Sequence, residues 1–391
     1  MKQPDNLPLS GIRVIDFTQV MLGPSATQML GDYGADVIKV ENPKGGELSR
    51  KSFGGVDEAA LNNPVFCSLN RNKRSLAVDL RTKEGRDVIL GLAETADVMV
   101  NNFRAGVMEK MGLDYDSVKA INPRIVYASG TGYGPLGPYA HKGGQDVLAQ
   151  AMSGVMNRRS DISQPITVYP TALCDYTAGM HLVQGVLLAL MAREKTGEGR
   201  RIDVSLYDSM IAMQMQEAAS HMNAGKEINW AEMPLTGVFE TSDGALVMVG
   251  AFKQNPLRDI CSVLGIDDLS MEFPDLQSQR AAKPKLREKF SAVFAQETTA
   301  YWIEKLEEKD LLCSPVRSLE ETLKDQQTRI NGMVVTMEHP VHGAMEVVGS
   351  TLHISGIEVS VRRHPPRIGE HNDEILAELA INTPGALASD G

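Results

Sequence analysis

The chain has 391 residues, 42% hydrophobic and 23% charged, a composition that provides a core large enough for one large domain or two smaller ones. Its formal net charge of -11 excludes a dedicated nucleic-acid binder, because phosphate contacts need a surplus of Lys and Arg on the binding face. The polar start MKQPDNLPLSG lacks the apolar core of a secretion signal, and no run of about eighteen apolar residues is evident, so a cytoplasmic protein without a membrane span is expected.

The first elements alternate in type. GIRVIDFTQV, GPSATQMLGDYGA and DVIKVENP read as strand, amphipathic helix and strand. RSLAVDL, KEGRDVILGLAETA and DVMVNN repeat the unit, and PRIVYASGTGYG adds a strand after the helical MEKMGLDYDSVKAIN. Such alternation predicts a parallel, helix-covered sheet, whose ligands sit beyond the carboxyl ends of the strands. Residues 19–24, 101–104 and 131–137 occupy turns of that kind. Residues 145–158 and 176–195 read as helices; the second is apolar around most of its circumference, so burial is expected. The character changes at NAGKEINWAEMPL, which predicts a boundary near residue 225. Beyond it lie a hairpin, GVFETSDGALVMVG, with Asp243-Gly244 as its turn, and helical stretches to about residue 323. From about residue 331 short strands return, then HPPRIGEHNDEILAEL.

Few side chains in this layout suggest chemistry. Asp175 stands immediately before the apolar helix, where an aspartate ordinarily acts as an N-cap. A helix N-terminus also offers amides to an oxyanion, so a capped carboxylate there can still be a nucleophile. Arg71, Lys73 and Arg74 precede one strand, and Arg104 and Lys110 follow the next. Runs of this kind are usually solvated surface, but in an acidic chain two cationic turns at adjacent strand edges suit a polyphosphate. Glu41 ends the second strand, where an acidic residue can bind a ribose, yet the first turn, QVMLGPS, carries no GxGxxG and argues against a dinucleotide site. No HExxH and no GxSxG elbow occurs, the methionines of SMIAMQMQ read as helix core, and His181 reads as a buried helix residue. Cys67, Cys174, Cys261 and Cys313 are scattered, with no CxxC pair, so reduced thiols and no metal site are expected.

Taken together, several segments resemble the class III CoA-transferases, the CaiB/BaiF type that includes formyl-CoA, oxalate and carnitine CoA-transferases. They are PLSGIRVIDFTQVMLGPSATQMLGDYGADVIKVENPKGGE, SLNRNKRSLAVDLRTKEG, VNNFRAGVMEKMGLDY, INPRIVYASGTGYGPLGPYA, AQAMSGVM, ALCDYTAGMHLVQGVLLALMAREKTGEGRRIDVSLYDS and GEHNDEIL. Their order and spacing span nearly the whole chain. The resemblance implies an α/β fold: a large Rossmann-like CoA-binding domain with a parallel sheet (residues 1–224 and 331–391) and a smaller α+β domain (residues 225–330). It further implies two chains threaded as interlocked rings in a homodimer, with the active site between the large domain of one chain and the small domain of the other.

By the same resemblance Asp175 is the nucleophile, and coenzyme A or acyl-CoA enters as substrate, with no prosthetic group. Arg71, Asn72, Lys73 and Arg74, with Asn102, Phe103 and Arg104, match positions that contact the nucleotide phosphates and pantetheine. Lys110 and Lys142 match positions that approach CoA, and Gln19 and Met21 belong to the loop lining the reacting centre. Backbone amides near Asp175 are the expected oxyanion donors. The 2-methylacyl-CoA racemases share the fold but need a His/Asp proton-carrying pair; here KGGQDVLAQ places Gln145 where that histidine would stand, and an amide cannot carry the proton. A non-catalytic CoA-binding protein would keep the basic turns and have no need of Asp175. NWAEMPLTGVFETSDG and the region around GAFKQNP lack the long glycine-rich loop of formyl-CoA/oxalate transferases, which points away from formate and oxalate; a longer dicarboxylate such as succinate, or a citramalate-like acid, is the carboxylic acid partner considered instead.

Overall fold

A computed structural model describes residues 6–51, 63–159, 163–226 and 228–382. The first half folds as β1 (Arg13–Asp16), α1 (Leu22–Asp32), β2 (Asp36–Glu41), α2 (Pro64–Leu69), β3 (Lys73–Ala77), α3 (Lys83–Ala93) and β4 (Val98–Asn101). It continues through α4 (Val107–Met111), α5 (Tyr115–Ile121), β5 (Val126–Thr131), α6 (Asp146–Met152), α7 (Leu173–Thr196), β6 (Arg201–Ser205) and α8 (Leu206–Met213). Start signals are local: the Thr82 hydroxyl accepts from Gly85 N to open α3, and Asp114 does the same from Ser117 N for α5. Each such cap contributes about 1 kcal/mol. Gly197, at φ 75°, closes α7 in a left-handed turn that a Cβ would strain.

The six strands form one parallel sheet in the order β3-β2-β1-β4-β5-β6. Consecutive residues of its strands serve opposite cores, because side chains alternate across a strand. Val14, Val37, Val98 and Val126 pack with Leu22, Leu30, Leu182 and Val186 of α1 and α7. Their neighbours Ile15, Ile38, Met99 and Tyr127 pack with Ile89, Leu92 and Val118 of α3 and α5. Both faces are covered, as the sequence pattern required.

Helix α7 departs from its expected burial. Leu182, Val183, Val186 and Leu190 are buried, but Leu188 and Met191 are 66% and 65% exposed. It is the one described helix whose length and hydropathy would suffice to cross a bilayer, a property the search for an apolar run missed. Its inner face packs on the sheet and on α1, and its buried Arg193 pairs with Asp97 at 2.8 Å, as suits a core helix.

The chain divides into two compact units: residues 1–156, 168–214 and 329–391, and residues 157–167 and 215–328. The break falls at the end of α8, ahead of the border read near residue 225. The polar NAGKEINWAEMPL ends the helix Met215–Ala224 without marking the boundary, and that helix lies with the smaller unit, where Glu217 meets Arg158 at 3.5 Å. The smaller unit has a three-stranded antiparallel sheet (Thr236–Glu240, Ala245–Val249, Leu312–Pro315), with the expected hairpin turning at residues 241–244. Phe239, Phe290, Phe294 and Trp302 form its core. In the larger unit the C-terminal segment covers the β3 edge: Asn72 N donates to Arg363 O, His371 N to Ser75 O and Ala77 N to Asn372 Oδ1.

Candidate active site

In a sheet of this order, strand succession reverses between β1 and β4, and the turns leaving their carboxyl ends diverge around a crevice. The turns that follow β1, β4 and β5 line a cavity of ≈ 520 Å³. Of the residues expected at a site, it gathers Gln19, Met21, Asn102, Phe103, Arg104, Lys142 and Asp175. Asn102 clamps the first turn, accepting from Gln19 N at 2.8 Å and donating to Gln19 O at 2.7 Å. The next residue, Val20, has φ 67°, a conformation that costs a β-branched side chain roughly 1–3 kcal/mol. Glu47 holds it there by accepting from Val20 N at 2.9 Å.

The head of α7 differs from the expected cap. Its N-cap position is Ala172, with no side-chain bond, and Asp175 lies in the first turn. Capping comes from Asp146 of α6, whose Oδ2 accepts from Cys174 N at 2.7 Å and Asp175 N at 3.0 Å. Those two, among the backbone amides near Asp175 from which oxyanion donors were expected, are therefore occupied. Among the described residues no hydrogen bond reaches the Asp175 carboxylate, which is half-buried against the cavity. Burial and then the Asp146 charge push its pKa up to about 6. The adjoining Cys174 thiol is pushed up to about 12, by burial first and then by the two aspartates, so it stays protonated and unreactive.

Comparison with known proteins decides what this site belongs to. The family model for CoA-transferase family III matches residues 9–372. The chain belongs to that family. It is 35% identical to a mouse protein named succinyl-CoA:glutarate CoA-transferase, over 97% of this chain and 88% of the relative. It is 34% identical to a Streptomyces coelicolor protein named formyl-CoA:oxalate CoA-transferase, over 95% of each. A solved CaiB/BaiF family protein from Brucella suis superposes with TM-score 0.85 at 29% identity, over 96% of this chain and all of the other.

In this class III CoA-transferase the basic residues leading into β3 fall outside that cavity. Arg71, Asn72, Lys73 and Arg74 are buried and do not line the cavity. Arg71 pairs with Asp32 at 2.7 Å, Asn72 donates to Asp32 at 2.7 Å, Lys73 meets Asp16 at 3.1 Å, and Arg74 bridges Asp36 and Glu378. Their side chains neutralise internal carboxylates, while Arg71 on one side and Asn72 and Arg74 on the other border separate cavities. Glu41, weighed for ribose, is likewise taken, bound bidentately by buried Arg50 at 2.7 Å. Lys110, exposed on α4, lies outside the cavity lining. His181 is half-buried, with Nδ1 3.0 Å from the Ser209 hydroxyl.

Sequence reading missed the glycines of the cavity. Gly132 and Gly144 pack backbone to backbone: a Cβ on Gly144 would stand 2.2 Å from the Gly132 Cα. Only residues without side chains allow that approach. Gly144→Ala is expected to displace the loop beside Asp175 and lower kcat/KM by about 10- to 100-fold, with most of the fold's stability retained. Steady-state kinetics beside a thermal melt checks both. A second missed feature, Asp146, has no local signal, since its partner helix begins 27 residues downstream.

Proposed function

We propose that the chain moves CoA from an acyl-CoA donor to a carboxylic acid by covalent catalysis on Asp175. The observation that carries this reading is a half-buried carboxylate free of hydrogen bonds among the described residues, set in the switch-point cavity with Arg104 and Lys142. An Asp175 oxygen attacks the thioester carbonyl and the C–S bond breaks, giving a mixed anhydride and CoA thiolate. The thiolate attacks the Asp175 acyl carbon, the anhydride C–O bond breaks, and the donor acid leaves as its carboxylate. The acceptor carboxylate then displaces CoA from the aspartyl thioester. Thiolate attack on the acceptor's acyl carbon releases the new acyl-CoA and restores Asp175. No water and no net proton are consumed, so water must be kept out. Gly143 and Gly144 line the cavity and their backbone amides donate to nothing among the described residues, which supports them as oxyanion donors.

Racemisation would need a second proton carrier. Gln145 lines the cavity, His141 is not among its lining residues, and no other His appears there. A mere CoA binder would have no use for an unpaired, half-buried carboxylate. The missing glycine-rich loop and the activity named for the mouse relative support a four- or five-carbon dicarboxylate as acceptor. Incubating succinyl-CoA with a panel of acids and identifying the new thioesters by mass spectrometry tests this; formyl or oxalyl transfer alone would refute it. The interlocked homodimer also belongs to this reading, and light scattering of the purified chain would reveal a monomer if it is wrong.

Attack requires the ionised form of Asp175. Because its pKa is raised to about 6, kcat/KM should rise with pH to a half-maximum near 6 and fall about tenfold per unit below it. A flat profile down to pH 4.5 would contradict this. Arg104 and Lys142 are exposed and pair with no carboxylate among the described residues. Arg104→Ala and Lys142→Ala should each raise KM for the CoA substrate about tenfold, more at low salt than at high, with kcat little changed. Lys110→Ala, outside the cavity, should do less.

A further inference from the structure

The aspartate that caps α7 does more in this geometry than end a helix. Asp146 is buried, its Oδ1 accepts from Gln150 Nε2 at 2.6 Å, and its Oδ2 accepts from Cys174 N and Asp175 N. A carboxylate from one helix thus takes amides at the head of another, and the acid in that first turn is left without them. Ordinarily an aspartate at this place is stabilised by such amides and becomes less basic and less nucleophilic.

We propose that Asp146 is a positioning residue for the transferase reaction: by occupying the first-turn amides of α7 it leaves the Asp175 carboxylate unpaired toward the cavity, and its own charge favours the acylated over the ionised state of Asp175. The inference rests on the covalent reading of Asp175. When Asp175 attacks the thioester, its negative charge passes to the departing CoA thiolate and the repulsion from Asp146 disappears. The aspartyl-CoA thioester and the second anhydride are uncharged at the same position, so all three covalent intermediates gain on the free enzyme. The acid reforms its repulsion only on the last step, when the product acyl-CoA is released.

Other ionisable groups on the surrounding elements are few. Arg104 of the β4 turn and Lys142 of the loop before α6 line the same cavity, α8 contributes exposed Asp208, α1 has only Asp32 at its far end, and α7 carries His181 and, in its last turn, Arg193, Glu194 and Lys195. The raised pKa of Asp175, from burial and then from Asp146 alone, agrees with this arrangement.

Asp146→Asn keeps an oxygen able to cap α7 and removes the charge, while Asp146→Ser removes the charge and, with its shorter side chain, the reach to α7. The full chain, wild type and each variant, is mixed with succinyl-CoA and acid-quenched within milliseconds across pH 4.5–8, and the Asp175 adduct is quantified by peptide mass spectrometry. The wild-type midpoint is expected near pH 6. In the variants it should fall by roughly one unit, and the adducted fraction at pH 7.5 should drop at least about threefold. A purely structural cap would lower the melting temperature and leave the midpoint in place. If either folded variant keeps both the wild-type midpoint and the wild-type adduct level, the role of Asp146 is refuted while the covalent reading stands. If the wild type turns over without any adduct at Asp175, the covalent reading falls and the inference with it.

Discussion

Asp175→Ala will reduce CoA transfer by at least roughly 10⁴-fold and leave the dissociation constant for CoA within about threefold of wild type. The magnitude is that of losing a covalent nucleophile, whose partner groups cannot act alone. Binding is spared because Asp175 stands at one side of a cavity whose cations, Arg104 and Lys142, belong to other turns. Rapid-quench kinetics with a labelled acid measures the first quantity and calorimetric titration with CoA the second. Hydroxylamine added during wild-type turnover should capture the acyl group at position 175. Substantial residual transfer in the alanine variant, or turnover without modification of Asp175, would end the covalent proposal.

Lys73→Met will destabilise the fold by about 3–5 kcal/mol, because it strips a buried carboxylate of its counter-charge. Lys73 is 0% exposed, and its ammonium donates to Asp16 Oδ2 at 3.1 Å, Thr27 Oγ1 at 2.8 Å and Asn70 Oδ1 at 2.9 Å. Burial drives the Asp16 carboxyl upward, but Lys73, Lys39 and the hydroxyls of Thr18 and Thr27 outweigh it and hold the group below the usual carboxylate range. Removing Lys73 leaves Lys39 to hold the charge on Asp16. A fall in melting temperature on the order of 10 °C is expected. Adding Asp16→Leu should restore much of it, since removing both charges removes the desolvation cost with them. The folded Lys73→Met protein should bind CoA within a few-fold of wild type. A large loss of CoA affinity without loss of stability would return Lys73 to the role of a phosphate ligand.

That second prediction marks the limit of reading charge along a chain. RNKRS announces three cations, but their partners Asp32, Asp16 and Asp36 lie 38 to 57 residues earlier, and no local pattern says that they meet. Local signals fared better where the physics is local. Alternation of strand and helix through the first half made the helix-covered sheet legible, and Asp243-Gly244 marked the hairpin that the structure contains. The turns after β1, β4 and β5 followed from the strand–helix order, and they line the cavity. The exposed side of α7 was not legible, because Leu188 and Met191 read as core residues wherever a helix is apolar all round.

Sequence alone was enough to determine the alternating strands and helices and the family resemblance, since these rest on short-range periodicity and on motifs contiguous in the chain. Only the tertiary structure decided which cations face the cavity and which lie in the interior, and that Asp146, rather than Asp175, caps α7. The reason is electrostatic: what a charged side chain can do depends on the few groups packed within several ångströms of it in a medium of low dielectric, and folding, not chain order, chooses those neighbours.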